Sequence, residues 1–201
     1  MAATFSFSVA AEAAPAGPTT EFELEPAGSA LTFTAVQQGA KFDSRFDRFT
    51  AVVAFDPASP ESGSITSRIA LGSVDTGNPE RDEVLKGPDW FDLLQWPEAV
   101  FTAGRIVREG DGFRASGSLT LRDVTAPVSL SFRWTPAAAG QPARLAGTAT
   151  LERLAFGVGQ GDWRDTSYVG NRVDVRVDIR LRPVSVSDKS VAIKGASTDG
   201  R

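Results

Sequence analysis

The nine residues Val173-Asp174-Val175-Arg176-Val177-Asp178-Ile179-Arg180-Leu181 alternate apolar and charged side chains without an exception. Strand side chains point to opposite faces with period two, so the five apolar residues share one face and Asp174, Arg176, Asp178 and Arg180 share the other. A strand built this way has one dry face and one wet face, and it must lie against an apolar interior.

The same alternation recurs along the chain. Leu31, Phe33 and Ala35 share a face, as do Phe49, Ala51, Val53 and Phe55 before the turn signal Asp56-Pro57, and Ile65, Ser67, Ile69 and Leu71. Further strands are expected over 99–107, 113–121, 128–134 and 145–154, with a short one over 21–24 and a hairpin signal at Glu109-Gly110-Asp111-Gly112. The inward sets Phe113, Ala115, Gly117, Leu119, Leu121 and Val128, Leu130, Phe132, Trp134 mix large and small residues, as the taper of a small barrel requires. One segment breaks the period. Asn78-Pro79-Glu80-Arg81-Asp82 supplies a helix N-cap, a proline at the first helical position and acids in the first turn, so a short helical insertion is expected around residues 79–95, interrupted by Gly87-Pro88. Trp90, Phe91, Leu94 and Trp96 crowd the end of that insertion, and their size predicts burial.

About eight antiparallel strands with one interruption leave two architectures, a closed barrel and a sandwich. Strands of about nine to eleven residues, rising roughly 3.3 Å per residue, favour a tube about 30 Å long, and about eight such strands enclose room for one slender ligand. With 201 residues and 41% hydrophobic content the chain suffices for one all-β domain, placed at 21–182. Residues 1–20 contain the weakly apolar Phe5-Ser6-Phe7-Ser8-Val9-Ala10 and then Ala11-Glu12-Ala13 but no positive n-region, so a secretory-signal remnant and a plain disordered leader both stand. Residues 183–201 read as a polar tail.

Composition removes most chemistry. The chain has no histidine and no cysteine, which excludes a Ser-His-Asp triad, a cysteine nucleophile, a His or Cys zinc site and any disulfide. Twenty-five acids against 21 bases, without a basic run, argue against nucleic acid as a partner. No apolar run approaches the roughly 20 residues of a membrane-spanning helix.

Three stretches carry a resemblance: Ser73-Val74-Asp75-Thr76-Gly77-Asn78 with Glu80-Arg81-Asp82 and Leu85; Asp89-Trp90-Phe91-Asp92 with Pro97 and Phe101; and Gly117-Ser118-Leu119-Thr120-Leu121-Arg122-Asp123-Val124-Thr125-Ala126-Pro127-Val128. Together with residues 42–57 upstream, and with Arg153, Phe156-Gly157 and Gly159-Gln160-Gly161-Asp162-Trp163 downstream, the ordered series over residues 22–182 resembles the YceI-like polyisoprenoid-binding family. Two positions depart from that pattern: Asp123 stands where the family usually places glycine before the Val-Thr pair, and Trp90 stands where many relatives carry phenylalanine. The resemblance implies a lipocalin-like extended antiparallel β-barrel, exported to the bacterial periplasm or secreted. It also implies non-catalytic carriage, storage or sensing of a long-chain isoprenoid, an isoprenoid quinone or a similar amphiphile as bound ligand, with no covalent cofactor and no metal. Transient contact with a membrane or a membrane redox protein, and a homodimer, are the partners to be looked for.

The candidate ligand-binding residues are the inward-facing Phe33, Phe49, Val53, Ile69, Phe101, Phe113, Leu119, Leu130, Phe132, Trp134, Val175 and Val177. Trp90, Phe91, Leu94 and Trp96 of the insertion join them, as do Phe156, Trp163 and Tyr168 in and beside the glycine-rich loop 157–170, which reads equally as a mobile lid or as an ordinary long hairpin loop. Taken singly each fits a packed core as well as a channel wall. As a set they supply the apolar wall that a slender ligand needs. Two charge clusters, Arg81-Asp82-Glu83 and Asp162, Arg164, Asp165, admit a carboxylate-based hydrolase, although glycoside hydrolysis needs a polar groove and the inward positions are apolar. Gly157-Val158-Gly159-Gln160-Gly161 lacks the spacing of a dinucleotide motif. A β-sandwich interaction module without a cavity is the third reading.

Overall fold

A computed structural model describes residues 19–184, so the expected leader over 1–20 and tail over 183–201 lie almost wholly outside the described residues. The strands are β1 (Glu21–Gln37), β2 (Ala40–Phe46), β3 (Phe49–Ala54), β4 (Ser64–Ala70) and β5 (Val74–Asp75), then, after the helix α1 (Pro79–Lys86), β6 (Glu98–Glu109), β7 (Gly112–Leu121), β8 (Val124–Thr135), β9 (Ala143–Glu152) and β10 (Arg172–Pro183).

Each strand pairs antiparallel with its neighbour in the order β10-β9-β8-β7-β6-β4-β3-β1, and β1 pairs back onto β10. That last pairing closes an eight-strand barrel, because β2 continues β3 alongside β1 and β5 continues β4 alongside β2. Closure removes the sandwich reading. It also pairs β10 with β1, so that only short stretches of edge remain, which protects a sheet of this length from edge-to-edge association.

The register follows the sequence alternation. Leu31 faces Val177 and Phe33 faces Val175 across the closing seam, so the inward sets of β1 and β10 meet on the same side of the sheet. A bulge between Glu25 and Ala30 lets the 17-residue β1 bend from β3 to β2 while staying on β10. On β7, Gly117 sits so close to β6 that a Cβ there would fall 2.1 Å from the Thr102 carbonyl oxygen, and this small residue permits the β6 bulge between Ala103 and Arg105.

A strand is added to the expected set and two expectations are refined. The strand β2 comes from Phe42, Ser44 and Phe46 alternating with charged residues, behind a tight turn in which Gln38 and Gly39 both have positive φ. The strand β8 begins at Val124 rather than at 128 and runs through Pro127, beside which its other edge is free because β9 joins β8 only from Ser131 onward. The helical insertion is an eight-residue helix followed by turns to residue 96, with Asn78 accepting from the Arg81 amide at 3.1 Å as its cap.

Candidate functional site

The interior of the barrel is filled at one end and hollow at the other. At the filled end, five rings from β1, β7, β8 and the turn after β3 interlock: Phe55 meets Phe113 at 4.9 Å, Trp134 at 5.1 Å and Phe132 at 5.5 Å, and Phe22 meets Trp134 at 5.1 Å. Val53, Ile106, Ala115 and Leu181 are fully buried among them. Above this floor opens a cavity of about 420 Å³, a size that suits a small or slender ligand. Its wall on β10 is Val173, Val175, Val177 and Ile179, so the strand with the strictest alternation gives four residues to the cavity and the next, Leu181, to the floor. Ala35, Ala51, Ala149 and Ser67 face the same space, and these small side chains leave it open. The Ser67 hydroxyl is occupied, donating to the Thr50 carbonyl at 2.8 Å.

A cap covers the hollow end. It consists of α1, the turns over 87–96 and the loop 157–170. The loop is tied down at both sides: the amides of Gly159 and Gln160 donate to the Asp89 carbonyl at 2.7 and 2.8 Å, the Gln38 amide donates to the Tyr168 carbonyl at 2.8 Å, and the Gly170 amide donates to the Val36 carbonyl at 2.9 Å. It lies over the barrel end as expected for a lid, but it is latched rather than loose.

The latch is Arg153. Its side chain is 4% exposed and spends all five N–H groups on loop carbonyls: Nε on Gly170 (3.0 Å), Nη1 on Val158 and Gly159 (3.0 and 3.3 Å), Nη2 on Trp163 and Val169 (2.6 and 2.8 Å). Burial pushes its basicity below the usual arginine range. Gly159 has φ 83, and a Cβ there would fall 2.0 Å from Arg153 Nη1, so only glycine admits the guanidinium. A second arginine anchors the other half of the cap. Arg122 takes φ 58 in the turn before β8, and its Nη1 donates to the Pro88 carbonyl at 2.9 Å and to the Trp90 carbonyl. The left-handed residue of that turn is thus Arg122, and Asp123 does not have to replace glycine in that conformation.

The mouth is polar. Gln37, Asn78, Glu80 and Arg81 line it, with the Arg81 guanidinium 4.0 Å from the centre of the Phe42 ring.

Of the candidate ligand-binding residues, Phe33, Phe49, Ile69, Phe101, Leu119, Leu130, Val175 and Val177 line the cavity, joined by Trp90, Phe91 and Trp163 from the cap and by Phe156 just before its loop. The others stand elsewhere. Val53, Phe113, Phe132 and Trp134 face inward as expected but belong to the packed floor. Leu94 is fully exposed at the tip of the 87–96 turns, because the chain reverses there and the burial of Trp90 and Phe91 turns it outward. Trp96 is half-buried outside the cavity under Arg122, whose guanidinium lies 5.0 Å from its ring. Tyr168 is 39% exposed and does not line the cavity, its ring lying 5.9 Å from that of Trp163. The cavity is also lined by Phe42, Phe46, Leu31, Val173 and Arg153, which the candidate set left out although Leu31 and Val173 lie on faces read as inward. The alternation of Phe42 and Phe46 with Lys41, Asp43 and Arg45 held a signal for the first two; nothing in the sequence marks Arg153 as a wall residue, since its partners are carbonyls.

The carboxylate clusters serve their own turns. Asp82 accepts from the Thr76 amide and hydroxyl at 2.9 and 2.7 Å, Glu83 pairs with Lys86 at 2.6 Å, and Asp165 accepts from the Ser167 amide at 2.8 Å; the Ser167 hydroxyl first, and this amide second, hold its carboxyl below the usual range. Among the described residues no group of three or more His, Cys, Asp or Glu is placed to hold a metal ion, and no helix is long and apolar enough to cross a membrane.

With this geometry in hand, the relatives are informative. A family model described as a YceI-like domain matches residues 22–181. A UPF0312 protein of Photorhabdus laumondii is 36% identical over 86 residues, 43% of this chain and 45% of that protein, and a UPF0312 protein of Yersinia pestis is 34% identical over 90 residues, 45% and 47% of the two. The match therefore spans less than half the length of these curated relatives. Among solved structures, BcnA of Burkholderia cenocepacia superposes with a TM-score of 0.74 at 28% identity, covering 79% of this chain and 99% of that one. A polyisoprenoid binding domain from Saccharophagus degradans, described as implicated in plant cell wall breakdown, superposes with a TM-score of 0.64 at 14% identity over 83% and 99%, a likeness of fold.

Proposed function

Because the chain belongs to the YceI-like domain family, we propose that it binds the apolar chain of an isoprenoid or a similar long amphiphile inside the barrel and holds it without chemical change. The observation that carries this reading is the capped cavity of about 420 Å³ with an aliphatic and aromatic wall above a solid floor. The fold it shares with a polyisoprenoid binding domain of Saccharophagus degradans supports the choice of ligand class. Energetics support it too. Removing even ~400 Å² of hydrocarbon from water at roughly 25 cal/mol per Å² contributes about 10 kcal/mol before ordering costs, so binding needs few polar contacts.

The wall sets a length. Val173 and Ile179 are six positions apart, roughly 20 Å along the strand and about 15 Å along a barrel axis tilted by about 40°. An extended hydrocarbon advances roughly 1.25 Å per bond of about 1.5 Å, so the bore takes about twelve chain carbons, about three isoprene units. A longer polyisoprenoid or the tail of an isoprenoid quinone folds back or leaves through the mouth. Carriage or storage in the bacterial periplasm, with delivery to a membrane or a membrane redox protein, is the role such a cavity suits. Carboxylates committed to their own turns support a binder over a hydrolase.

Organic extraction of the purified protein followed by mass spectrometry tests this. The expected result is an isoprenoid or comparable long-chain amphiphile in near-stoichiometric amount, or its uptake when offered to delipidated protein; protein that neither retains nor accepts one overturns the reading.

A further inference from the structure

The wall of the barrel is not hydrogen-bonded throughout. On one side β1 pairs with β3 as far as Glu23, opposite Val52, and with β2 from Leu31, opposite Phe46, so among the described residues 24–30 have no strand partner there. The two flanks of this gap are held apart by bonds of their own. The bulge of β1 lies against β10: the Ser29 hydroxyl accepts from the Arg180 amide at 2.9 Å and donates to the Glu25 carbonyl at 2.6 Å, and a Cβ on Gly28 would fall 2.6 Å from Arg180 Cζ. The corner between β2 and β3 is tied the other way. The Asp47 amide donates to the Ser73 carbonyl at 3.1 Å and the Arg48 amide to the Ser73 hydroxyl at 3.0 Å, while the Arg48 carbonyl accepts from the Ala70 amide at 3.0 Å. Backbone groups committed in this way do not close the gap as a strand ladder would.

A hollow of about 130 Å³ occupies the gap, with Leu24, Leu31, Phe46 and Phe49 on its inner side and Ala30 and Arg45 at its rim. Leu31, Phe46 and Phe49 also line the main cavity, so the two spaces share these three side chains as their partition. The depth of the gap follows from the closing seam. Leu31 stands opposite Val177 and Leu24 opposite Leu181, which places the gap at the foot of the bore, where Val177 and Ile179 still line the cavity and Leu181 is sealed in the floor. A chain that descends from the mouth is stopped there by the floor and has the hollow beside it.

We propose that this gap is a side window of the barrel, and that it takes the far end of a polyprenyl or comparable hydrocarbon chain longer than the bore. The proposal rests on the lipid-binding reading above and extends it. Besides folding back or leaving through the mouth, the surplus chain has a third course, between the Phe46 and Phe49 side chains into the hollow. Both rings are half-buried and border open space on two sides, so they turn about their side-chain bonds without breaking a hydrogen bond. The move gives up the contact of Phe46 with Phe33, at 5.4 Å between rings, and the prenyl chain supplies apolar contact in its place. Arg45 is already paired with Asp47 and Asp75, so the rim offers its aliphatic stem rather than a free charge. The window therefore suits a hydrocarbon end and not an anionic head.

Photo-cross-linking in wild-type protein tests this. Prenyl alcohols of three and of eight isoprene units, each carrying a diazirine on its last unit, are bound to delipidated protein and irradiated, and the labelled residues are located by peptide mass spectrometry. With the three-unit reagent the main label is expected at the foot of the bore, on Val177 or Ile179. With the eight-unit reagent it is expected to move to Leu24, Pro26, Ser29 or Ala30, which line the window and not the cavity. Eight-unit label confined to the bore, or to Gln37, Asn78 and Glu80 at the mouth, overturns the window. So does refusal of the eight-unit chain by protein that takes the three-unit one, and so does equal labelling of the window by both reagents, which is adhesion from outside. Failure to bind either reagent overturns the lipid-binding reading itself, an outcome distinct from binding both without label in the window.

Discussion

The two ends of the barrel are built from the same strands with the same alternation, yet one is solid and the other hollow. On β10, Val175 and Val177 face open space while Leu181, the same face a few residues on, is sealed. On β8, Leu130 touches the cavity while Phe132 lies in the floor. The difference is volume across the bore. Phe22, Phe55, Phe113, Phe132 and Trp134 pack ring against ring at one level, whereas at the other Ala35, Ala51, Ala149 and the valines of β10 leave space between the rings of the wall. Alternation decides which way a side chain points, and the sum of facing volumes decides whether it meets another side chain or a ligand.

That contrast can be broken most severely at the floor. Phe55 is 2% exposed and touches three other rings, so Phe55→Ala is expected to lower the unfolding free energy by about 3–5 kcal/mol in a denaturant titration. A loss below about 1 kcal/mol would mean the floor is not packed as described. Next comes the latch. Replacing Arg153 with leucine leaves five loop carbonyls without their donor, which should cost roughly 2–4 kcal/mol and raise amide exchange across 157–170 while β7 stays protected. Uniform exchange across both segments would count against a local latch. In the hollow, Val175→Phe adds bulk where there is room, so stability should change by less than about 1.5 kcal/mol while lipid uptake falls sharply; unchanged uptake would place the ligand elsewhere.

The smallest effect belongs to the outer face. The Arg144 side chain holds Asp178 through bonds of 2.6 and 2.5 Å, and this holds the Asp178 carboxyl below its usual range. A carboxylate whose folded pKa is depressed contributes stability above its unfolded value near 4 and loses it as pH falls through the lower folded value. Asp178→Asn should therefore lose slightly more stability at neutral pH than at pH 3, and the pair is too exposed for the difference to be large. An equal loss at both values would remove the pair from the account.

Much of this was legible in the chain. Nine perfect alternations predict β10, Asn78-Pro79 predicts the start of α1, and Glu109-Gly110-Asp111-Gly112 predicts the β6–β7 hairpin. Depth along the bore was not legible, because whether Phe113 lies at the level of the cavity or of Phe55 depends on registers summed around eight strands. Leu94 and Trp96 misled for another reason: in a run of turns, neighbouring apolar residues do not share a face. Arg153 stood in the motif series, but its role as a latch was not legible, because a charge satisfied wholly by backbone leaves no complementary residue in the sequence.

The central claim is that ligand occupies the upper bore and leaves the floor untouched. Methyl NMR of delipidated protein titrated with farnesylacetone measures this directly, with Val173, Val175 and Val177 reporting on the bore and Val53 and Leu181 on the floor. The account predicts large, saturable shifts in the first three and near-stationary signals in the other two. Stationary bore methyls, or floor methyls that shift as much, would contradict it.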